Sequence, residues 1–465
     1  MISECKYNID MAHGPLFGKI ILFALPLIIT NIMQLMFHAA DLIVLGQFAD
    51  PKAMAAVGAT NGLTTFILNL FAGLSTAVNV LVARYSGARD RRNIARTVHT
   101  SMSVAFYGGV CMALIGLLIS RPMLKLMATP EQVLDKACLY MWIYCIGMPF
   151  VIIYSFGASI LRALGDTRRP LFFMIFAGLT NVLLNLFFVL VCRWDVAGVA
   201  VATKISNAVS AVLVLRVLTS TRDSSRLFWN RLKIHRKTFW DLVKIGLPAG
   251  IQGSCYSISN ITIQSTVNSF GPMAMAGNTS SQSLEGFVNT CCSAFYTTTL
   301  SFVGQNHGAK KYKRILKSIF LSLICVLIAG AVFGWGFYFF GRSLLHIYNP
   351  NPEVIQWGMI RLKILLLTYF LCGFMNVATG ALRGLGHSIK PMLVSLTGAC
   401  FFRIAWVIWV FPLKPTMNTL MYSYPASWTM VMLINGTLLY FVLRKMFRQA
   451  VDANRHPGMI QLRKS

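Results

Sequence analysis

Long apolar runs separated by short polar segments recur twelve times along the chain, from Ile20–Leu45 (span 1) to Thr419–Leu443 (span 12). A helix needs about 20 mostly apolar residues to cross a bilayer, so the pattern predicts an all-α membrane protein of twelve transmembrane helices. Residues 1–19 are mixed polar and carry no cleavage signature. The first run therefore reads as a mature span rather than a leader.

Polar positions inside the runs are themselves periodic. Span 1 carries Asn31, Gln34, His38 and Asp41 at steps of three and four; span 8 carries Asn278, Ser281, Glu285 and Asn289 in the same way. Span 7 places Gln252, Tyr256, Asn260, Gln264 and Asn268 four apart. Such spacing puts each set on one helical face. A polar stripe faces a watered cavity or another helix, never lipid.

The chain also repeats itself. Leu161-Arg-Ala-Leu-Gly-Asp-Thr-Arg-Arg-Pro170 recurs as Leu382-Arg-Gly-Leu-Gly-His-Ser-Ile-Lys-Pro391, and Gly87-Ala88-Arg89 recurs as Gly308-Ala309-Lys310, both at an offset of 221 residues. Leu25-Pro26 recurs as Leu247-Pro248 at 222. The offset contains six spans, an even number, so the halves share one orientation and form parallel repeats. Residues 1–219 become an N-terminal six-helix bundle, 220–241 a basic connector, 242–446 a C-terminal bundle and 447–465 a tail. Two such bundles around a central cavity suit a transporter rather than a pore made by a ring of subunits.

Composition narrows the class. Only 12% of residues are charged, about half the usual share of a soluble domain, and the mean hydropathy is +0.63. The 42 Lys and Arg against 14 Asp and Glu would suit a nucleic-acid binder, but that hydropathy does not. Most of the cations fall in loops after even-numbered spans, in the tail and before span 1. Positive loops stay inside, so both termini are expected in the cytoplasm of a multi-pass inner-membrane protein. The 11 cysteines include no CxxC pair. No metal cluster, phosphate loop or Ser/His/Asp spacing is evident, so neither an enzyme nor a cofactor is expected. The partners implied are the bilayer and a small molecule, the chain acting as a monomer.

Asp41 and Glu285 are the acids placed well inside spans, and they lie in opposite halves. Intramembrane ionisable groups are functional candidates by default. Lys204 in span 6 is a candidate partner for Asp41. Arg361 and Lys363 are expected to reach outward to the surface, whereas Arg403 lies mid-span and needs a partner. Gln34, Phe37, His38, Tyr256, Asn260, Glu285 and Asn289 are the candidate cavity wall. Pro26 and Pro248 each remove a helical hydrogen bond and should bend spans 1 and 7.

The chain resembles the multidrug and toxic compound extrusion (MATE) family, within the larger MOP flippase superfamily. The matching features are Pro26 with Ala40-Asp41-Leu-Ile-Val-Leu-Gly46, the paired Gly-Ala and Leu-Arg-x-Leu-Gly loops, and Gly198-Val-Ala-Val-Ala-Thr203. The resemblance implies two bundles in a V and export of cationic amphipathic drugs by alternating access, in exchange for protons or sodium ions. It also implies a coupling site made of a span 1 aspartate, two polar residues one turn apart in span 5, and a span 6 threonine. These positions match Asp41, Asn181, Asn185 and Thr203. The second span 5 position is an acid in the family and an amide here, and Lys204 follows the threonine. Both departures weaken a sodium site at Asp41, because hard cations prefer charged oxygen ligands, and so favour the proton. Tyr256 stands near where some members carry a glutamate, which leaves Glu285 as the candidate in that half to meet a cationic substrate. A lipid-linked oligosaccharide flippase of the same superfamily is the alternative reading, kept open by Arg361, Lys363 and Arg403.

Overall fold

The computed structural model describes residues 8–48, 51–127, 129–192 and 194–455; residues 456–465 of the expected tail lie outside it. The described residues are helical nearly throughout, with no strand among them. Span 1 is Leu16–Phe48, span 2 Pro51–Gly87 and span 3 Arg91–Leu126. Span 4 is a pair, Glu131–Ile146 and Met148–Ala163, bent by 43°. Span 5 is Arg168–Val191, its last turn a π-helix, and span 6 is Asp195–Ser220.

The second half repeats the order. Span 7 is Arg236–Asn268, span 8 Pro272–Gly308 and span 9 Tyr312–Phe339. Span 10 is again a bent pair, Pro352–Leu367 and Tyr369–Gly384, at 46°. Span 11 is Ile389–Leu413, interrupted by π-helical turns, and span 12 is Met417–Arg455. The helix of span 7 thus begins inside the stretch expected as connector, and that of span 12 runs on into the expected tail.

Eight of these helices are apolar enough to cross a membrane unaided, and the two bent pairs raise that to ten. Spans 7 and 8 have 33 and 37 residues. At 1.5 Å per residue they are about 50 Å long, ample for a hydrocarbon core of about 30 Å. They fall short in hydropathy because of the polar stripes read from the sequence. Helices of this kind need protein neighbours, and each has one: span 7 packs along span 2, and span 8 along spans 1, 2 and 10.

The repeat is written into the backbone. The bends of spans 4 and 10 fall at Gly147 and Thr368, 221 residues apart. Arg89 and Lys310, also 221 apart, share a positive φ of 56° and 57°; Gly165 and Gly386 do likewise at 101° and 91°. Gly87 and Gly308 lie where the ends of spans 2 and 8 cross. A Cβ on Gly87 would sit 1.8 Å from the Gln305 carbonyl oxygen, and one on Gly308 would sit 1.9 Å from that of Arg84. No side chain fits at either position. The two bundles therefore touch backbone to backbone at their cation-rich end.

That end is tied further by hydrogen bonds between the halves. Gln305 Nε2 donates to the Ala163 carbonyl at 2.7 Å, and Ser301 Oγ to Asn79 Oδ1 at 3.0 Å. The N-terminal segment adds to the closure: Arg314 donates to the carbonyls of Met11, His13 and Gly14, and Lys311 to that of Ala12. Span 1 straddles both halves. Its first turns, with Leu16, Ile20, Phe23 and Leu27, share a core with spans 8, 9, 10 and 12. Its far end packs on span 5.

Candidate functional site

Asp41 is held on the far end of span 1, where three elements of the first half converge. Asn185 Nδ2 of span 5 donates to Asp41 Oδ1 at 2.5 Å, and the Thr203 hydroxyl of span 6 reaches Asp41 Oδ2 at 3.4 Å. Asn181, one helical turn before Asn185, donates to Thr203 Oγ1 at 3.2 Å. Asn185 also donates to Asn181 Oδ1 at 3.3 Å. Asn181 and Asn185 are 4% and 0% exposed. The site is thus a single carboxylate, half-buried, held by neutral donors of which the two amides are buried.

One acceptor in this ring is unused. Asn185 Oδ1 is buried and makes no hydrogen bond. A buried orphan acceptor beside a carboxylate costs free energy, and a bound proton or cation would relieve it. As ligands, the four residues offer neutral oxygens and one charged one. That set is thin for a sodium ion and sufficient for a proton.

Lys204 does not complete the site as expected. Its Nζ lies 3.5 Å from the centre of the Tyr144 ring of span 4, and no ion pair with Asp41 is present. Adjacent residues on a helix point about 100° apart, so Thr203 and Lys204 cannot both face span 1. The lysine stem instead crosses the bend of span 4, where a Cβ on Gly147 would sit 2.3 Å from Lys204 Cδ. Glycine at the bend leaves the room that the stem occupies. Tyr144 was not singled out in the sequence; a tyrosine facing a buried lysine is its only signal.

In the second half, Glu285 is not free to meet a cation. Arg361 of span 10 donates Nε and Nη2 to Glu285 Oε2 at 3.0 and 2.6 Å, and Nη1 to Asn278 Oδ1 at 2.9 Å. Arg361 is 3% exposed, which corrects the expectation that it reaches outward; Lys363, two residues on, is exposed. The carboxylate offsets the cost of the buried guanidinium, and the pair ties span 8 to span 10. Arg403 of span 11 lies nearby against Ser427, Asn260 and the ring of Tyr424.

Of the remaining candidates, Gln34, His38, Asn260 and Asn289 are exposed, on spans 1, 7 and 8. Phe37 packs against Gly178 of span 5. The Tyr256 hydroxyl meets Met375 Sδ at 3.8 Å. Pro26 and Pro248 lie inside unbroken helices, and the Thr30 hydroxyl donates to the Pro26 carbonyl at 2.7 Å.

Two parallel six-helix repeats with buried polar sites define a two-repeat membrane transporter. The family model for MatE matches residues 26–187 and again 248–409, one copy in each half. The chain belongs to the MatE family. Among its relatives, the probable multidrug resistance protein YpnP of Bacillus subtilis is 26% identical over 391 residues, 83% of this chain and 86% of that protein. The probable multidrug resistance protein NorM of Thermotoga maritima is 26% identical over 81% and 82%, and the FAD transporter of Shewanella oneidensis 23% over 83% and 86%. The fold matches a MATE crystal structure in the straight conformation with a TM-score of 0.88, at 18% identity over 94% of this chain and 98% of that one. It matches one in the bent conformation at 0.86 and 17% identity, over 95% and 98%.

Proposed function

We propose that the protein is a secondary active exporter of small amphipathic drugs, driven by protons entering through Asp41, with sodium as the less favoured coupling ion. The observation that carries this reading is the hydrogen-bonded Asp41–Asn185–Asn181–Thr203 cluster. A lone carboxylate among neutral donors and one orphan acceptor changes its hydrogen bonding when it gains a proton. Span 1 then loses part of its hold on spans 5 and 6.

The consequence follows from how span 1 is packed. Its first turns belong with the second half and its far end with the first. Pro26 lies between them and frees the Leu22 carbonyl from the helical ladder. Releasing the far end lets the helix bend there, and alternating access then follows as the closed, cation-rich end parts. That end is cytoplasmic if positive loops stay inside. Each charge moved inward releases about 2.3 kcal/mol per 100 mV, which is the energy the drug gradient draws on. The names of YpnP and NorM support the drug substrate, and a drug's cationic group would face Asp41. The flippase reading rests on the second-bundle cations, of which Arg361 is already paired with Glu285.

Proteoliposomes holding a fluorescent amphipathic dye test this function. Uphill dye movement that appears only with an imposed ion gradient supports it. Dye movement that ignores both proton and sodium gradients contradicts it.

A further inference from the structure

Arg403 is 3% exposed at mid-span, yet no carboxylate among the described residues lies within ion-pairing distance of it. Its Nε donates to Ser427 Oγ at 2.9 Å, and its Nη1 makes a long bond of 3.4 Å to Asn260 Oδ1. The guanidinium lies 4.2 Å from the centre of the Tyr424 ring. Its second amino group, Nη2, donates to no group among the described residues. A guanidinium keeps its charge at any physiological pH, and an uncompensated charge in a membrane interior is costly. The neighbouring acid cannot help, because Glu285 is already engaged by Arg361. Around the Tyr424 ring the second bundle therefore places two guanidiniums, Arg361 and Arg403, against the one carboxylate of Glu285.

Asn260 connects this charge to the outside. It is exposed on span 7, and its Oδ1 accepts from both Arg403 and the Tyr424 hydroxyl, the latter at 3.5 Å. Its amide N–H groups are what it leaves facing outward. The local inventory is thus all donors: the Asn260 amide, Arg403 Nη2 and the positive charge itself. Planar guanidinium forks match carboxylate and phosphate geometry.

The repeat places this cluster where the first bundle keeps its acid site. At the 221-residue offset Thr203 corresponds to Tyr424, and Val182, beside Asn181, corresponds to Arg403. Each bundle has a buried polar site on its last two spans, anionic in the first and cationic in the second.

We propose that Arg403 and Asn260 form an oxyanion subsite within the second bundle, opening at the exposed Asn260 amide and taking the carboxylate or phosphate of an amphipathic substrate. The inference rests on the transport reading above and deepens it. The preferred substrate carries an oxyanion for Arg403 as well as a cationic group for Asp41. Glu285, expected from the sequence to bind the cation, is instead the counter-ion of Arg361.

The test uses the full chain and a matched dye pair, rhodamine 110 with a free carboxyl and rhodamine 123, its methyl ester. Binding is followed by fluorescence anisotropy in detergent, and export in proteoliposomes. The wild type is expected to bind the free acid more tightly. Arg403→Gln should lower the acid-to-ester affinity ratio roughly tenfold, the scale of one charge-assisted contact, and Arg403→Lys should restore part of it. Where Arg403→Gln does not fold, Asn260→Asp supplies an internal carboxylate to Arg403 and should abolish the preference for the acid. An unchanged ratio in these variants, or a wild-type preference for the ester, overturns the proposal. Acid-selective binding without gradient-driven movement would keep the subsite and sink the transport reading. Gradient-driven export without acid preference would do the reverse.

Discussion

Asn185 donates to the Asp41 carboxylate across 2.5 Å, joining the far end of span 1 to span 5 through a fully buried amide. The bond makes the position of a whole helix depend on the state of one carboxyl group. A family pattern with a second acid at this place becomes, here, a site with one negative charge.

Restoring that second acid should change the ion. Asn185→Asp gives two carboxylates one helix apart, the charged oxygens a sodium ion requires. Dye export driven by an imposed sodium gradient is expected to rise several-fold in this variant relative to the wild type. Export that stays indifferent to sodium would show that charge count does not select the ion.

The Glu285–Arg361 pair predicts asymmetric mutational costs. Removing one partner leaves a buried, uncompensated charge, with a penalty of about 3–5 kcal/mol. Glu285→Gln should therefore lower thermal stability in detergent sharply. The double variant Glu285→Gln, Arg361→Gln should regain most of the loss, because neither charge then remains. A double variant no better than the single one would mean the pair is not the source.

Gly87 and Gly308 should behave alike, though they lie in different halves. Alanine at either would force a methyl group into a facing carbonyl, which the closed end can accept only by parting. Each single variant is expected to raise thiol-labelling of cysteines introduced at the crossing of spans 2 and 8, and to a similar extent. Labelling that remains at wild-type levels would contradict the closure described.

The connector between the bundles carries a pH dependence. His235 hydrogen-bonds through its backbone to Thr100 of span 3. Its pKa is held below the usual histidine value by burial and then by the cations Arg96 and Lys233 and by His99. A depressed histidine pKa means the docked connector prefers the neutral ring. Docking is therefore fully favourable above about pH 6.5, the free histidine value, and weakens as pH falls below it. Protection factors for amide exchange across residues 221–235, corrected for the intrinsic rate at each pH, should fall as pH drops below about 6.5, and less so in His235→Asn. An equal fall in the variant would assign the effect elsewhere.

Much of this was legible beforehand, for physical reasons that differ by residue. The repeat was visible because Gly87 and Gly308 permit a helix crossing that no other residue allows, and Arg89 and Lys310 follow in the same turn. Asn181, Asn185 and Thr203 were legible through the family resemblance and the one-turn spacing of the two amides. Arg361 was misplaced because a lone cation near a span end is cheapest at the surface. Its partner is 76 residues away, and only the packing of spans 8 and 10 brings them together. Lys204 lies over the Tyr144 ring and makes no direct ion pair with Asp41, a placement that depends on the packing of spans 4 and 6 and gave no signal in the sequence. Tyr424 gave no signal, since its role as a platform for two guanidiniums exists only once spans 10, 11 and 12 are assembled.

Asp41→Asn offers a neutral side chain of the same shape, so the fold and the substrate path should survive while the coupling does not. In proteoliposomes, the variant is expected to keep dye-for-dye exchange near the wild-type rate and to lose uphill export under an imposed proton gradient. Uphill export by Asp41→Asn at the wild-type rate would show that the proton enters by another group.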